Sequence, residues 1–259
     1  MIGTILAWLT DASHWSGDDG IPHRLWEHLW YSALALGIGA VIAIPIGLAI
    51  GHTGRGRFFV VNLAGAARAI PSLGLLYLMV LWLFPKLSGD SAFLIPSLIV
   101  LIVLAIPPMM SGAYAGVGEV DPDARDAAKG MGMTGLEVLR KVEVPCALPL
   151  VFSGVRSAAL QVVATTTIAA VAGLGGLGRF LIDGQKVRDF PQMASGAVLI
   201  ALLALAVDLV FALVQRYVVS PGLTGRGQAS DRSRGQRRGN THNDVVIDST
   251  TRTVETTVG

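Results

Sequence analysis

Charged residues and cysteine are both scarce in this sequence. Asp, Glu, Lys and Arg make up 15% of the 259 residues, well below the roughly 25% that is typical of soluble domains. Hydrophobic residues make up 52%, and the mean hydropathy is positive. This composition indicates a membrane protein rather than a soluble one.

The scarcity of reactive side chains also excludes several kinds of site. The single cysteine, Cys146, rules out an internal disulfide framework. No nucleophilic or metal-binding set accompanies it, so we interpret it as a small buried hydrophobic residue near a membrane face. The five histidines are scattered along the chain, and no catalytic side chains cluster at one membrane depth. We therefore expect neither a metal site nor an enzyme.

Phosphate-binding loops are missing as well. No glycine-rich loop ends in Gly-Lys-Ser or Gly-Lys-Thr, so we expect no ATP hydrolysis by this chain. Gly173, Gly175 and Gly178 match the spacing of a dinucleotide-binding loop, but that loop follows a strand in a soluble βαβ unit. Here the glycines follow an apolar stretch, and we interpret residues 173–178 as a flexible extracytoplasmic turn or a re-entrant piece.

Five apolar stretches are long enough to cross a bilayer as helices, which takes about 20 residues. They cover about residues 30–51, 58–84, 92–118, 147–171 and 193–217. We therefore predict an all-α integral membrane protein with about five transmembrane helices.

The second stretch contains Arg68 and Pro71, which leaves two alternatives. We favour one helix with Arg68 near its cytoplasmic end, where the long side chain can reach headgroups. A break at the proline would give six segments instead.

Basic residues in the connections predict the orientation, because they are retained on the cytoplasmic side. They occur in the loop after the first stretch, in the connection between the third and fourth stretches, and after residue 220. The N-terminus is then outside and the C-terminus inside, with no cleavable signal expected, because residues 1–10 lack a basic start.

Residues 1–29 form an extracytoplasmic segment, 30–218 the membrane domain, and 219–259 a polar cytoplasmic tail that we expect to be disordered. We expect no nucleic-acid partner.

The connection at about residues 119–145 is too polar for the membrane and too long for a simple turn. Apolar and small residues between 122 and 142 recur at helical spacing. Gly130, Gly132 and Gly135 interrupt the pattern, and glycine tolerates the dihedrals of a chain reversal. We predict two short helices joined by a turn.

This connection resembles the coupling loop of ABC importer permeases. The family signature is Glu-Ala-Ala, a glycine four residues later, and Ile-x-Leu-Pro ten residues beyond that. The sequence has Asp126-Ala127-Ala128, then Gly132, then Val142-Glu143-Val144-Pro145, with three mild departures: Asp for Glu, Val for Ile and Val for Leu. The resemblance implies that the loop docks on an ATPase subunit. The coupling residues it implies are Asp126, Ala127, Ala128, Gly130, Gly132, Val142 and Pro145.

The resemblance is closest to permeases for osmoprotectants such as glycine betaine, choline or carnitine. Supporting stretches are residues 46–56, 69–73, 126–134 and 173–178. It implies a type I ABC importer permease in a bacterial cytoplasmic membrane that binds no cofactor itself. Its implied partners are ATPase subunits that use ATP and Mg, a second permease copy or paralogue, and an extracytoplasmic solute-binding protein.

Polar residues within the apolar stretches are candidates for the solute path, because such groups are costly in hydrocarbon. The candidates are Pro71, Ser72, Gln161, Thr165, Thr166 and Asp208. Gln161 and Thr165 share a helix face, but hydroxyls also bond to their own helix carbonyls. Asp208 could lie on the path or pair with Arg68 or Arg156.

Small residues at i, i+4 predict close helix packing at two places, Gly47 with Gly51 and Gly112 with Gly116. Two other functions stay open at this point. A permease for another small solute, such as an amino acid, would carry the same loop. A self-sufficient channel or secondary transporter would need no such loop and would show two similar halves, which we do not find.

Overall fold

The computed structural model describes residues 2–58, 60, 62, 65 and 69–218. Over these residues the chain is helical and has no strand. Its helices are α1 (Ile2–Thr10), α2 (Ile21–Thr53), α3 (Ser72–Leu83), α4 (Ser91–Gly118), α5 (Pro122–Gly130), α6 (Gly135–Val138), α7 (Val144–Ala169), α8 (Gly178–Val187) and α9 (Phe190–Val218). A π-helical turn, Leu139–Glu143, joins α6 to α7 without a break. Arg68 and the predicted tail, 219–259, lie outside the described residues.

The predicted all-α membrane architecture is confirmed. In the described part of the chain, four helices are long and apolar enough to cross a membrane: Ile21–Thr53, Ser91–Gly118, Gly135–Ala172 and Phe190–Tyr217. The remaining predicted stretch contains a shorter apolar helix, Ser72–Lys86. The expectation of about five membrane helices therefore agrees roughly with the structure.

The prediction that the second stretch forms one continuous helix is wrong. α3 begins at Ser72, directly after Pro71, whose backbone is extended with ψ of 110°. Proline has no N–H and disfavours helical dihedrals in the preceding residue, and Ile70 lies in a bend. The break at the proline, which was the alternative, is what the described residues show.

The core forms where α4 packs against both α2 and α7. A Cβ on Gly47 would lie 2.6 Å from the Met110 carbonyl oxygen of α4, and a Cβ on Gly112 would lie 2.6 Å from the Leu150 carbonyl oxygen of α7. Only glycine permits such approach between backbones. The predicted close packing at both glycine pairs is confirmed, since Gly51 and Gly116 make similar contacts.

Candidate coupling loop and solute path

The first helix of the loop, α5, has a defined beginning. The Asp121 carboxylate accepts the N–H of Asp123 at 2.9 Å, and Pro122 occupies the first turn. A side-chain cap and a proline at this position both favour helix initiation, because the first N–H groups of a helix have no internal partner. The alanines that follow continue the helix to Gly130.

Gly132 ends α5 by a left-handed turn with φ of +84°. Its N–H donates to the Lys129 carbonyl at 2.9 Å, and the Met133 N–H donates to the Ala128 carbonyl at 3.2 Å, which together form a Schellman motif. A Cβ at this position would meet no atom within 4 Å. Glycine is therefore required here for its backbone conformation and not for space.

The second helix begins two residues later with a capping box. The Thr134 N–H donates to the Glu137 Oε2 at 3.0 Å. In return, the Glu137 backbone N–H donates to the Thr134 side chain. Lys141 Nζ lies 3.0 Å from the other Glu137 oxygen. The predicted helix, turn, helix is confirmed.

The structure divides the predicted coupling residues between two faces. Ala128 is 1% exposed and faces the rest of the chain, so it is not on the surface of the loop. Val142 is half-buried, and Pro145 is exposed in the first turn of α7. Seven exposed residues of the turn and its flanks are here called the outer face of the loop: Asp126, Ala127, Lys129, Gly130, Met131, Gly132 and Leu136. Cys146 is also exposed, so its interpretation as a buried residue is wrong.

A groove of about 360 Å³ runs between α4 and α7. Three of its polar residues, Ser153, Ser157 and Gln161, are four residues apart on α7 and therefore lie on one face. The complete lining is Pro107, Pro108, Ser111, Gly112, Ala115, Leu150, Ser153, Gly154, Ser157 and Gln161. It carries no charge, and Gln161 is the predicted path residue that it includes.

The other predicted path residues lie elsewhere. Thr165 and Thr166 are buried and donate to their own helix carbonyls at 2.8 and 2.9 Å, and the Thr166 hydroxyl also lies 3.2 Å from the Ser32 hydroxyl. Ser72 is the first residue of α3, and Pro71 directly precedes it. None of these four lines the groove.

Asp208 pairs with Arg156, which is one of the two arginines predicted as its partner. Arg156 Nε and Nη2 donate to the two Asp208 carboxylate oxygens at 2.6 and 2.7 Å. A bidentate pair of this kind joins α7 to α9.

The glycine-rich turn at 173–178 packs against two membrane helices. The Gly176 N–H donates to the Glu27 carboxylate of α2 at 2.8 Å, and a Cβ on Gly175 would lie 2.5 Å from the same carboxylate. Gly173, with φ of +98°, lies against the Phe93 ring of α4. These glycines allow close contact with two membrane helices.

A family model described as "Binding-protein-dependent transport system inner membrane component" matches residues 32–220. The chain belongs to this family. It is an ABC importer permease, a multi-pass subunit of the inner membrane, as its coupling-loop signature predicted.

Curated relatives match the permease over most of their length. The osmoprotectant import permease protein OsmW of Salmonella typhimurium is 33% identical over 218 residues, which covers 82% of this chain and 99% of the relative. The glycine betaine/carnitine/choline transport system permease protein OpuCB of Bacillus subtilis is 29% identical over 208 residues, with 80% and 93% covered.

Solved structures agree with the fold. The MetNI methionine ABC transporter, in an inward-facing conformation, matches with a TM-score of 0.65 and 24% identity over 77% of this chain and 96% of that one. An amino acid ABC transporter with histidines matches with a TM-score of 0.61 and 20% identity, covering 76% and 93%. At these identities the likeness concerns the fold of the permease alone.

Sequence reasoning missed a buried charged cluster beneath the coupling loop. Glu143 is 2% exposed and contacts His52 at 2.6 Å and Arg125 at 3.2 Å. Glu143 occupies the unspecified position of the Val-x-Val-Pro segment, and His52 lies 91 residues away in the chain. An acid within an otherwise apolar segment that precedes a membrane helix was the available signal.

Proposed function

We propose that the permease forms the membrane path of an ATP-driven importer for small quaternary amines such as glycine betaine, carnitine and choline. The observation that carries this proposal is the named activity of relatives that are 29–33% identical over about four fifths of the chain. The uncharged groove agrees with it, since such solutes carry a bulky cation that a fixed cationic lining would repel.

In this proposal the outer face of the loop docks on the ATPase subunit. Asp126 is exposed and can meet a basic partner, and the small Ala127 beside it allows close approach. ATP and Mg are bound and used by that partner, and this chain binds no cofactor. The ordered helix, turn, helix gives the ATPase a rigid element to move.

The groove between α4 and α7 is proposed to be this chain's share of the solute path. A face of hydroxyl and amide groups within membrane helices is unfavourable against lipid. A second permease, identical or a paralogue, would cover it and complete the path. An extracytoplasmic solute-binding protein would deliver the solute.

The proposed orientation places the N-terminus outside and the C-terminus inside. The coupling loop then faces the cytoplasm, together with the other basic connections. The proposed division into an outer segment (1–29), a membrane domain (30–218) and a cytoplasmic tail (219–259) follows from this arrangement.

Uptake in cells tests the proposal. We expect deletion of the chain to abolish ATP-dependent, salt-stimulated uptake of labelled glycine betaine and choline, and the wild-type chain to restore it. Uptake that continues unchanged after deletion would contradict the proposed solutes. Labelled amino acids in parallel would identify the alternative permease function.

Gly132→Val tests the coupling loop separately. A β-branched side chain at φ of +84° costs about 1–2 kcal/mol of backbone strain, which we expect to distort the turn. Uptake should fall at least tenfold while the permease remains in the membrane. Gly3→Val is the matched control, because that glycine is helical and has open space. Normal uptake by Gly132→Val would refute the coupling assignment.

A further inference from the structure

The buried carboxylate of Glu143 lies at the junction of four helices. It belongs to the π-helical turn that leads into α7. One oxygen lies 2.6 Å from His52 Nδ1, near the end of α2, and the other lies 3.2 Å from Arg125 Nε on α5. Arg125 also donates from Nη2 to the Val117 carbonyl, near the end of α4. Glu143 thus connects the coupling helix with α2 and α7, and Arg125 itself connects that helix with α4.

Arg125 links the exposed outer face of the loop to the buried Glu143. Arg125 is followed at once by Asp126 and Ala127, which are exposed on the outer face of the loop. Any partner that moves this face moves α5, and with it the guanidinium that reaches inward to Glu143. The docking surface and the buried cluster are therefore opposite sides of the same short helix.

Burial makes the contact resistant to separation. A carboxylate that is 2% exposed has little water to replace a lost partner, so its separation from Arg125 or His52 leaves one of its oxygens without a partner at a buried site. α5 can then move only by carrying Glu143 along. The π-helical turn provides a place for that displacement, because such turns interrupt the regular hydrogen bonding of a helix.

We infer that Glu143 is the positioning residue through which movement of the coupling helix α5 reaches α2 and α7. This inference rests on the proposed coupling role of the loop. It assigns a function to the unspecified position of the Val-x-Val-Pro segment. His52 is then the residue of α2 to which Glu143 passes the movement of α5.

The test uses the assembled transporter in lipid, with its own ATPase and solute receptor, and compares wild type with Glu143→Gln. Gln keeps the size of the side chain but removes the charge. We expect assembly and basal ATP hydrolysis to be retained, while the stimulation of hydrolysis by receptor and glycine betaine falls from its wild-type factor to about one. Glycine betaine uptake per ATP hydrolysed should fall at least tenfold.

A second readout needs no solute. Cys146 is the only cysteine of the chain and is exposed three residues beyond Glu143. A nitroxide or fluorophore on it should change signal when ATP binds to wild type, and the change should be lost in Glu143→Gln. If wild type shows the change but imports no glycine betaine, the proposed solute fails while this inference is still tested.

Lys141→Gln is the matched control, since its ion pair with Glu137 lies in the same loop but is exposed. It should behave as wild type. Arg125→Lys and His52→Gln provide milder variants if Glu143→Gln does not assemble, and each should lower the uptake per ATP. Wild-type coupling in an assembled Glu143→Gln transporter would overturn the inference. Failure of all three to assemble, with the control intact, would assign Glu143 to folding and overturn it as well.

Discussion

The Arg156–Asp208 ion pair places two charges deep within apolar helices. Arg156 lies 12 residues after the first residue of α7 and Asp208 lies 10 residues before the last residue of α9, so each is about 15–18 Å from that residue along its helix. That distance is about half the thickness of a hydrocarbon core, which is about 30 Å. The bidentate geometry supplies each charge with the partner that it needs there.

Asp208→Asn is therefore expected to reduce the amount of folded permease in the membrane and to lower its thermal midpoint in detergent. The guanidinium would keep its charge but lose its partner, which is worse than having neither. The double variant Arg156→Met with Asp208→Leu should recover most of the stability. Lys186→Gln, which breaks an exposed pair with Asp183, is the control. A stable Asp208→Asn protein would show that the pair contributes little.

At the scale of helices, glycine determines how closely α4 approaches its neighbours. The spacing of Gly112 and Gly116 places both on one face, where α7 backbone atoms occupy the space of a side chain. Gly154 of α7 contributes from the opposite side, since a Cβ there would lie 2.7 Å from the Pro108 carbonyl oxygen. The groove lies along this same contact.

Gly112→Ala should destabilise the permease by about 1–3 kcal/mol, because the added methyl overlaps the Leu150 carbonyl and the helices must separate. Gly37→Ala adds the same methyl in α2 where nothing lies within 4 Å. Thermal unfolding in detergent compares the two variants. Equal midpoints would mean that the α4–α7 contact adapts without cost.

The features that could be predicted from the sequence are those that depend on residues close together in the chain. The turn at Gly132 and the capping box at Thr134 depend on residues within a few positions of each other, so the sequence pattern was sufficient. The contact between His52 and Glu143 depends on a fold that brings residues 91 positions apart together. One sequence contains no information on that pairing. The roles of Thr165 and Thr166 were ambiguous because a hydroxyl can serve its own helix or a path equally well.

At the scale of the whole molecule, the polar groove and the outer face of the loop lie on separate parts of the chain. The groove contains no residue of α5 or α6. In the proposed function, solute passage and ATPase docking therefore use different residues, and variants should be able to impair one function without the other.

Ser157→Phe is expected to impair solute passage without impairing ATPase docking. The aromatic ring would occupy the groove, so uptake should fall at least tenfold while receptor-stimulated ATP hydrolysis and thermal stability remain near wild type. Val41→Phe places the same ring on α2 at a site that is 76% exposed and outside the groove. Uptake by Ser157→Phe equal to that control would exclude the groove as the path.

The length of α2 has a mechanical consequence. The helix has 33 residues and extends about 50 Å, which exceeds the hydrocarbon core. Glu27 bonds to the glycine-rich turn near one end, and His52 contacts Glu143 near the other. The two residues are 25 positions apart, which is about 38 Å along the helix. Pro45 has no N–H, so one backbone hydrogen bond of the helix is missing seven residues before His52. α2 thus joins the glycine-rich turn to the coupling loop along one continuous helical backbone, so a displacement of that turn can be transmitted to Glu143 without passing through any other element.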